Sequence, residues 1–185
     1  MATEDMRERL AQLPHHAAVA FAARCARRVQ PLTHALPQQG RDAIDRAIAS
    51  AEAFAQGTDV TDVAGVAAEA AKADADDINA ATWAAIAVVA ANDAVAARHA
   101  TWAAAAAARA AAAEADRTAA RAAAASDLER LIALNPGRPG TPGAPIDPSE
   151  SGPLGPLWPH GAPEWYTEAA TGTGTPHEEP SGDAD

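Results

Sequence analysis

The chain changes chemistry at Asn135-Pro136, and this boundary constrains the fold more than any other feature. Upstream, alanine dominates and long runs are free of glycine and proline. Downstream, the text is Pro, Gly, Thr and acid, with two of the four tryptophans. Alanine is the best helix former and loses no side-chain entropy on folding. Residues 1–134 are therefore expected to form an all-α, alanine-rich bundle of five to seven helices. Proline as dense as it is downstream removes backbone donors and excludes regular helix and central strand. Residues 135–170 are expected to be extended and polyproline-like, with turns at the glycines. Residues 171–185 offer nothing apolar to bury, which predicts a disordered acidic tail.

Charge follows the same boundary. Residues 1–138 hold 17 acids and all 14 bases, whereas residues 139–185 hold 8 acids and no base. Nucleic acid needs a clustered basic face, so this distribution argues against it as a partner. Lys72 is the only lysine. With so much alanine and so few aromatics, that bias points to a GC-rich bacterial genome. Cys25 is the only cysteine, which fits a reducing cytoplasm. The N-terminus MATEDMRERL is acidic where a signal peptide would be basic and then apolar. The charge-free stretch Ile78–Asn92 falls short of the roughly 20 residues of a membrane span. A soluble cytoplasmic protein with no membrane association is expected. Leu, Ile, Val and Phe together make 25 of 185 residues, so the core should be thin and depend on close helix approach.

Periodicity places the elements. Residues 3–12 can form a short helix stopped near Pro14. In HHAAVAFAARCARRVQPL, Phe21, Cys25, Val29 and Leu32 recur at helical spacing, with Arg24, Arg27 and Arg28 gathered on the other side. LTHALPQQG reads as a loop, and Arg41–Gln56 as a helix with Ile44, Ile48, Ala51 and Ala55 as its stripe. Gly57 is placed as its left-handed C-terminal residue. A further helix is expected from Thr61. Asp76–Ala125 lacks Pro and Gly; unbroken it would span about 75 Å, so a break near Asn92 is expected. Ser126-Asp-Leu-Glu129 has the pattern of a capping box before a last turn.

The side chains that could carry chemistry form no constellation. His15 and His16 are adjacent and cannot face one metal on a helix, and His34, His99, His160 and His177 are scattered. Asp74, Asp76 and Asp77 lack the central glycine and distal glutamate of a calcium loop. Cys25 shares the apolar stripe of Phe21 and Val29, which favours a buried, inert thiol over a nucleophile. His99 and Trp102 could line a small-ligand or enzymatic pocket with Trp83, though two tryptophans in so thin a core serve more readily as its plugs. No catalytic residue, metal or cofactor is therefore expected. The tail carries Leu154, Leu157, Trp158, Trp165 and Tyr166 as apolar anchors on a stiff frame. They can grip a partner or fold back on the bundle, and ordering is expected for Pro145–Tyr166.

The block from Arg24 through Pro31-Leu32 to Ala51-Glu52-Ala53-Phe54-Ala55-Gln56-Gly57, followed by alanine-rich helices with Trp83 and Trp102, resembles the immunity protein 5 family of bacterial polymorphic toxin systems. The resemblance spans roughly residues 15–125 and excludes the tail. It implies an all-α protein that binds and occludes a cognate toxin without catalysis of its own. It carries over no site residues. Such a partner would be a protein, basic where the tail is acidic. The residues leave oligomeric state open.

Overall fold

The computed structural model describes residues 3–60, 114–134 and 136–171. Among them are five α-helices, one 3-10 helix and no strand: α1 (Thr3–Leu10), α2 (His15–Val29), a 3-10 helix (Gln30–Ala35), α3 (Gln38–Ala55), α4 (Glu114–Leu134) and α5 (Glu164–Thr171). The expected helix from Thr61, the acid cluster at 74–77, the break near Asn92 and the His99/Trp102 region lie outside the described residues, as do residues 172–185.

The centre of the fold is α2, buried along nearly its whole length. It packs on α3, on the 3-10 helix and on α4, and α1 packs on α4. The predicted stripes supply the seam. Phe21, Cys25 and Val29 of α2 meet a cluster that contains Ile44, Ile48, Ala51 and Ala55 of α3. Alanine at the contact lets two helices approach closely, which restores packing density where large side chains are few. Leu128 and Leu131 of α4 and Leu10 of α1 complete the cluster.

Three local expectations need correction. The segment after Val29 is not a loop: Pro31 sits in the first turn of the 3-10 helix, and α3 starts at Gln38, three residues earlier than the apolar stripe suggests. Ser126 caps nothing, because α4 runs continuously from Glu114 to Leu134. A capping box and a polar pair inside a helix look alike locally, and here Asp127 has partners on another helix. The C-terminal segment is not wholly extended either. Glu164–Thr171 is helical, since those eight residues contain no Pro or Gly and Pro163 sits just before them, where a missing N–H costs nothing.

Gly57 ends α3 as expected, at φ 80°. Its N–H bonds to Phe54 O at 2.9 Å and that of Thr58 bonds to Ala53 O at 3.0 Å, the paired closure of a left-handed cap. A side chain at Gly57 would also collide with the ring of Pro145, 2.8 Å from the position of a Cβ.

Candidate functional site

The C-terminal segment lies against this body and is tied to it from end to end. Pro14 precedes α2 and offers no side-chain cap. The first N–H groups of the helix are met instead by the segment: His15 N–H donates to Thr141 O at 2.9 Å and His16 N–H to Pro142 O at 3.0 Å. Further on, Ile146 N–H donates to Ala55 O at 2.7 Å, at the C-terminal end of α3. Ile146 and Leu154 enter the main apolar cluster. Leu157 and Trp158 pack on Ala120 and Ala123 of α4.

A proline-rich segment has more carbonyl acceptors than N–H donors. Buried, it therefore needs donors from elsewhere. Arginine suits the task, being a side chain of donors only. Arg24 and Arg28 of α2, each 1% exposed, take this role. Arg24 donates to Pro148 O at 2.9 Å and to Pro156 O at 2.8 Å. Arg28 donates through Nε and Nη2 to Leu157 O, at 3.0 and 2.9 Å. Both also donate to Oδ2 of Asp127 on α4, at 2.9 and 2.5 Å, and Asp127 is 0% exposed. Arg130 of α4 donates to Leu154 O. Arg24 and Arg28, read from sequence as lying on the side of α2 away from its apolar stripe, are thus buried on that side. Only Arg27 behaves as a rim residue, in a two-toothed pair with Glu52 at 2.7 Å for each bond.

The segment's anchors form one aromatic group. Trp158, 8% exposed, meets Trp165 and Tyr166 edge-on at centroid distances of 6.1 and 5.4 Å, and Trp165 meets Tyr166 at 5.8 Å. Edge-to-face contacts at such distances are favourable for ring quadrupoles. The Arg28 guanidinium carbon lies 5.7 Å from the Trp158 ring centroid. Leu157 and Trp158 are buried, while Trp165 and Tyr166 are half-buried. Burial raises the Tyr166 phenol above its usual range, and the Glu150 carboxylate adds to this.

Cys25 lies beside the arginine pair, its Sγ 4.0 Å from Arg28 Nη1. Burial pushes the thiol up to about 12, against the lowering pull of Arg28. The thiol is therefore protonated at neutral pH and is no nucleophile there.

The carboxylates of the segment sit on its outer side. Asp147 is held below the usual carboxylate range, first by the Ser149 N–H at 2.9 Å. Glu150 accepts the Leu157 N–H at 2.9 Å, and Glu164 and Glu168 are exposed on α5. No group of three metal-ligating side chains occurs among the described residues. A cavity of about 400 Å³ opens between the 3-10 helix and the start of α3. Its one arginine, Arg41, donates to His34 O, Leu36 O and Gln38 Oε1 around its own rim.

Of the four tail residues singled out from sequence, the structure brings Trp158, Trp165 and Tyr166 into mutual contact and places Leu157 beside them. Sequence reasoning missed Arg24, Arg28 and Asp127. One signal for them was present: apart from its arginines, α2 between Ala17 and Val29 has no polar face to give to water. A second was the spacing of Pro136, Pro139, Pro142, Pro145 and Pro148, every third residue, which marks a long run of unsatisfied acceptors.

No described helix is long and apolar enough to cross a membrane. Compared with protein-family models, with curated proteins and with solved structures, the chain matches none.

Proposed function

We propose that this chain is a non-catalytic binding protein of the bacterial cytoplasm that receives a basic protein partner on its C-terminal segment. The partner best suited to this reading is a toxin that the chain occludes, as the resemblance to immunity proteins implies. The observation that carries it is the pinning of an acidic, base-free segment onto a folded body. Residues 139–171 contain Asp147, Glu150, Glu164 and Glu168 and no base. Docking through Ile146, Leu154, Leu157 and Trp158 fixes where these charges stand. Charges held in place steer a basic partner without the ordering cost that a free acidic tail would bear.

The experiment pairs the chain with the products of genes adjacent to its own. Each is expressed in a bacterial host with and without this chain. One toxic product whose growth arrest is relieved by the chain is the expected result. Purified, that pair should associate more slowly at high salt, and the double substitution Glu164→Lys, Glu168→Lys should lower the association rate by about tenfold or more. Rescue unaffected by charge reversal and salt would remove the acidic segment from the interface. Absence of any rescuing pair would remove the toxin reading.

A further inference from the structure

The seam between the C-terminal segment and the body is less well satisfied than the rest of the described structure. Arg24, Arg28 and Asp127 bury two positive charges against one negative. The remaining positive charge is met by no described carboxylate but by the carbonyl dipoles of Pro148, Pro156 and Leu157, by the Trp158 ring and by Cys25 Sγ. A buried charge without a full counter-charge is costly relative to a hydrated one. Three buried side-chain polar atoms among the described residues make no hydrogen bond of ordinary geometry, Asp127 Oδ1, Trp158 Nε1 and Trp165 Nε1, although Trp158 Nε1 is near enough to the Tyr166 hydroxyl to interact with it weakly. The two indole groups belong to the segment itself, and Asp127 is joined to it through Arg24 and Arg28. Native structures leave few such atoms, and a concentration of them at one seam calls for an explanation.

We propose that residues 141–166 form a strap that opens as one unit while the α2–α3 core stays folded. Opening separates apolar anchors from α4 and the main cluster, which opposes it. Opening also returns two guanidiniums, one carboxylate and two indole N–H groups to water, which favours it. The α2–α3 seam has no comparable return: Phe21, Ile48, Ala47 and Ala51 are fully buried and apolar. The contacts that cross the seam are also of a kind that water replaces readily. Beside the apolar anchors, the seam's hydrogen bonds are those of the His15, His16 and Ile146 N–H groups, of His16 Nδ1 with Gly143 O, of Gln56 with Asp147 and of the guanidiniums with backbone carbonyls, with no sheet ladder and no shared helix. The strap is thus locally less stable than the α2–α3 seam, and its members are coupled by the arginine–aspartate cluster.

Hydrogen exchange of the full chain, read by mass spectrometry over a series of sub-denaturing urea concentrations, tests this. The amides of Ile146 and Leu157, together with those of His15 and His16, should share one protection level. That level should be at least about tenfold below that of Val19–Ala23 and Ala47–Ala51, and less steep in urea. The conservative substitution Ile48→Val then separates local from global opening. It should speed exchange in α2 and α3 by about two- to tenfold and leave the strap amides unchanged, because Ile48 stays buried when the strap is open. Strap amides that match the core in rate and urea slope, or that speed up equally in Ile48→Val, would show that the segment opens only with the whole fold. Strap amides with no protection at all would show that it is not docked. Either result overturns the proposal.

Discussion

The α2–α3 pair and the strap face the same shortage of large apolar side chains and solve it in opposite ways. In α2 and α3 every backbone group inside the helix is bonded locally, and alanines such as Ala47, Ala51 and Ala55 let the two surfaces close on each other. Stability there is spread over many small contacts. In the strap, the carbonyls of Pro148, Leu154, Pro156 and Leu157 take their donors from side chains of the body, and a few large anchors carry the burial. Its stability is concentrated in those anchors and in donors lent by α2 and α4, Arg24, Arg28 and Arg130. The contrast teaches that a proline-rich segment can be part of a core when the body supplies what its own backbone lacks.

Substitutions can break or sharpen this contrast. The largest effect is expected at Asp127, where truncation leaves two buried guanidiniums with no counter-charge. Asp127→Ala should cost about 3–5 kcal/mol, measured by urea denaturation. A loss below about 1 kcal/mol would mean that carbonyl dipoles alone satisfy the arginines. Next is Leu154, fully buried in the main cluster although it belongs to the strap. Leu154→Ala should cost about 2–5 kcal/mol. An unchanged unfolding midpoint would reduce the strap to a surface decoration.

Per pH unit, a smaller effect follows from the thiol. Burial raises Cys25 from about 9 to about 12. Above the lower value the unfolded thiol loses its proton while the folded one keeps it, so the unfolded state binds fewer protons and stability falls as pH rises. The slope approaches about 1.4 kcal/mol per pH unit between those limits. Denaturation midpoints at mildly and strongly alkaline pH should therefore converge in Cys25→Ala and diverge in the parent chain. The smallest effect belongs to Arg27, the arginine at the rim. Arg27→Ala should cost about 0.2–1 kcal/mol, since its pair with Glu52 is half exposed. A loss as large as that at Asp127 would erase the distinction between rim and buried arginines.

Legibility from sequence divided along the same line. The body was readable because its determinants are local: Ile44, Ile48, Ala51 and Ala55 repeat at helical spacing and are all buried, and Gly57 adopts the left-handed conformation its position demands. Trp158 and Leu157 were readable as anchors, because large apolar side chains on a stiff frame must bury somewhere. Arg24 and Arg28 were not, because their environment is set by residues more than 95 positions away. Charge on a helix defaults to the solvated face until such partners are known. Helix α5 was missed because composition averaged over the whole segment hid eight residues without a breaker.

The distances in sequence also have a consequence for how the chain is made. Arg24 reaches Asp127 across 103 residues and Pro156 across 132. At about 5–20 residues per second, α2 leaves the ribosome on the order of ten seconds before its last hydrogen-bond acceptor has been synthesised. Until Asp127 and the carbonyls beyond it have been made, Arg24 and Arg28 lack the partners that bury them. The nascent helix is therefore kept soluble by the same charges that later lie in the interior.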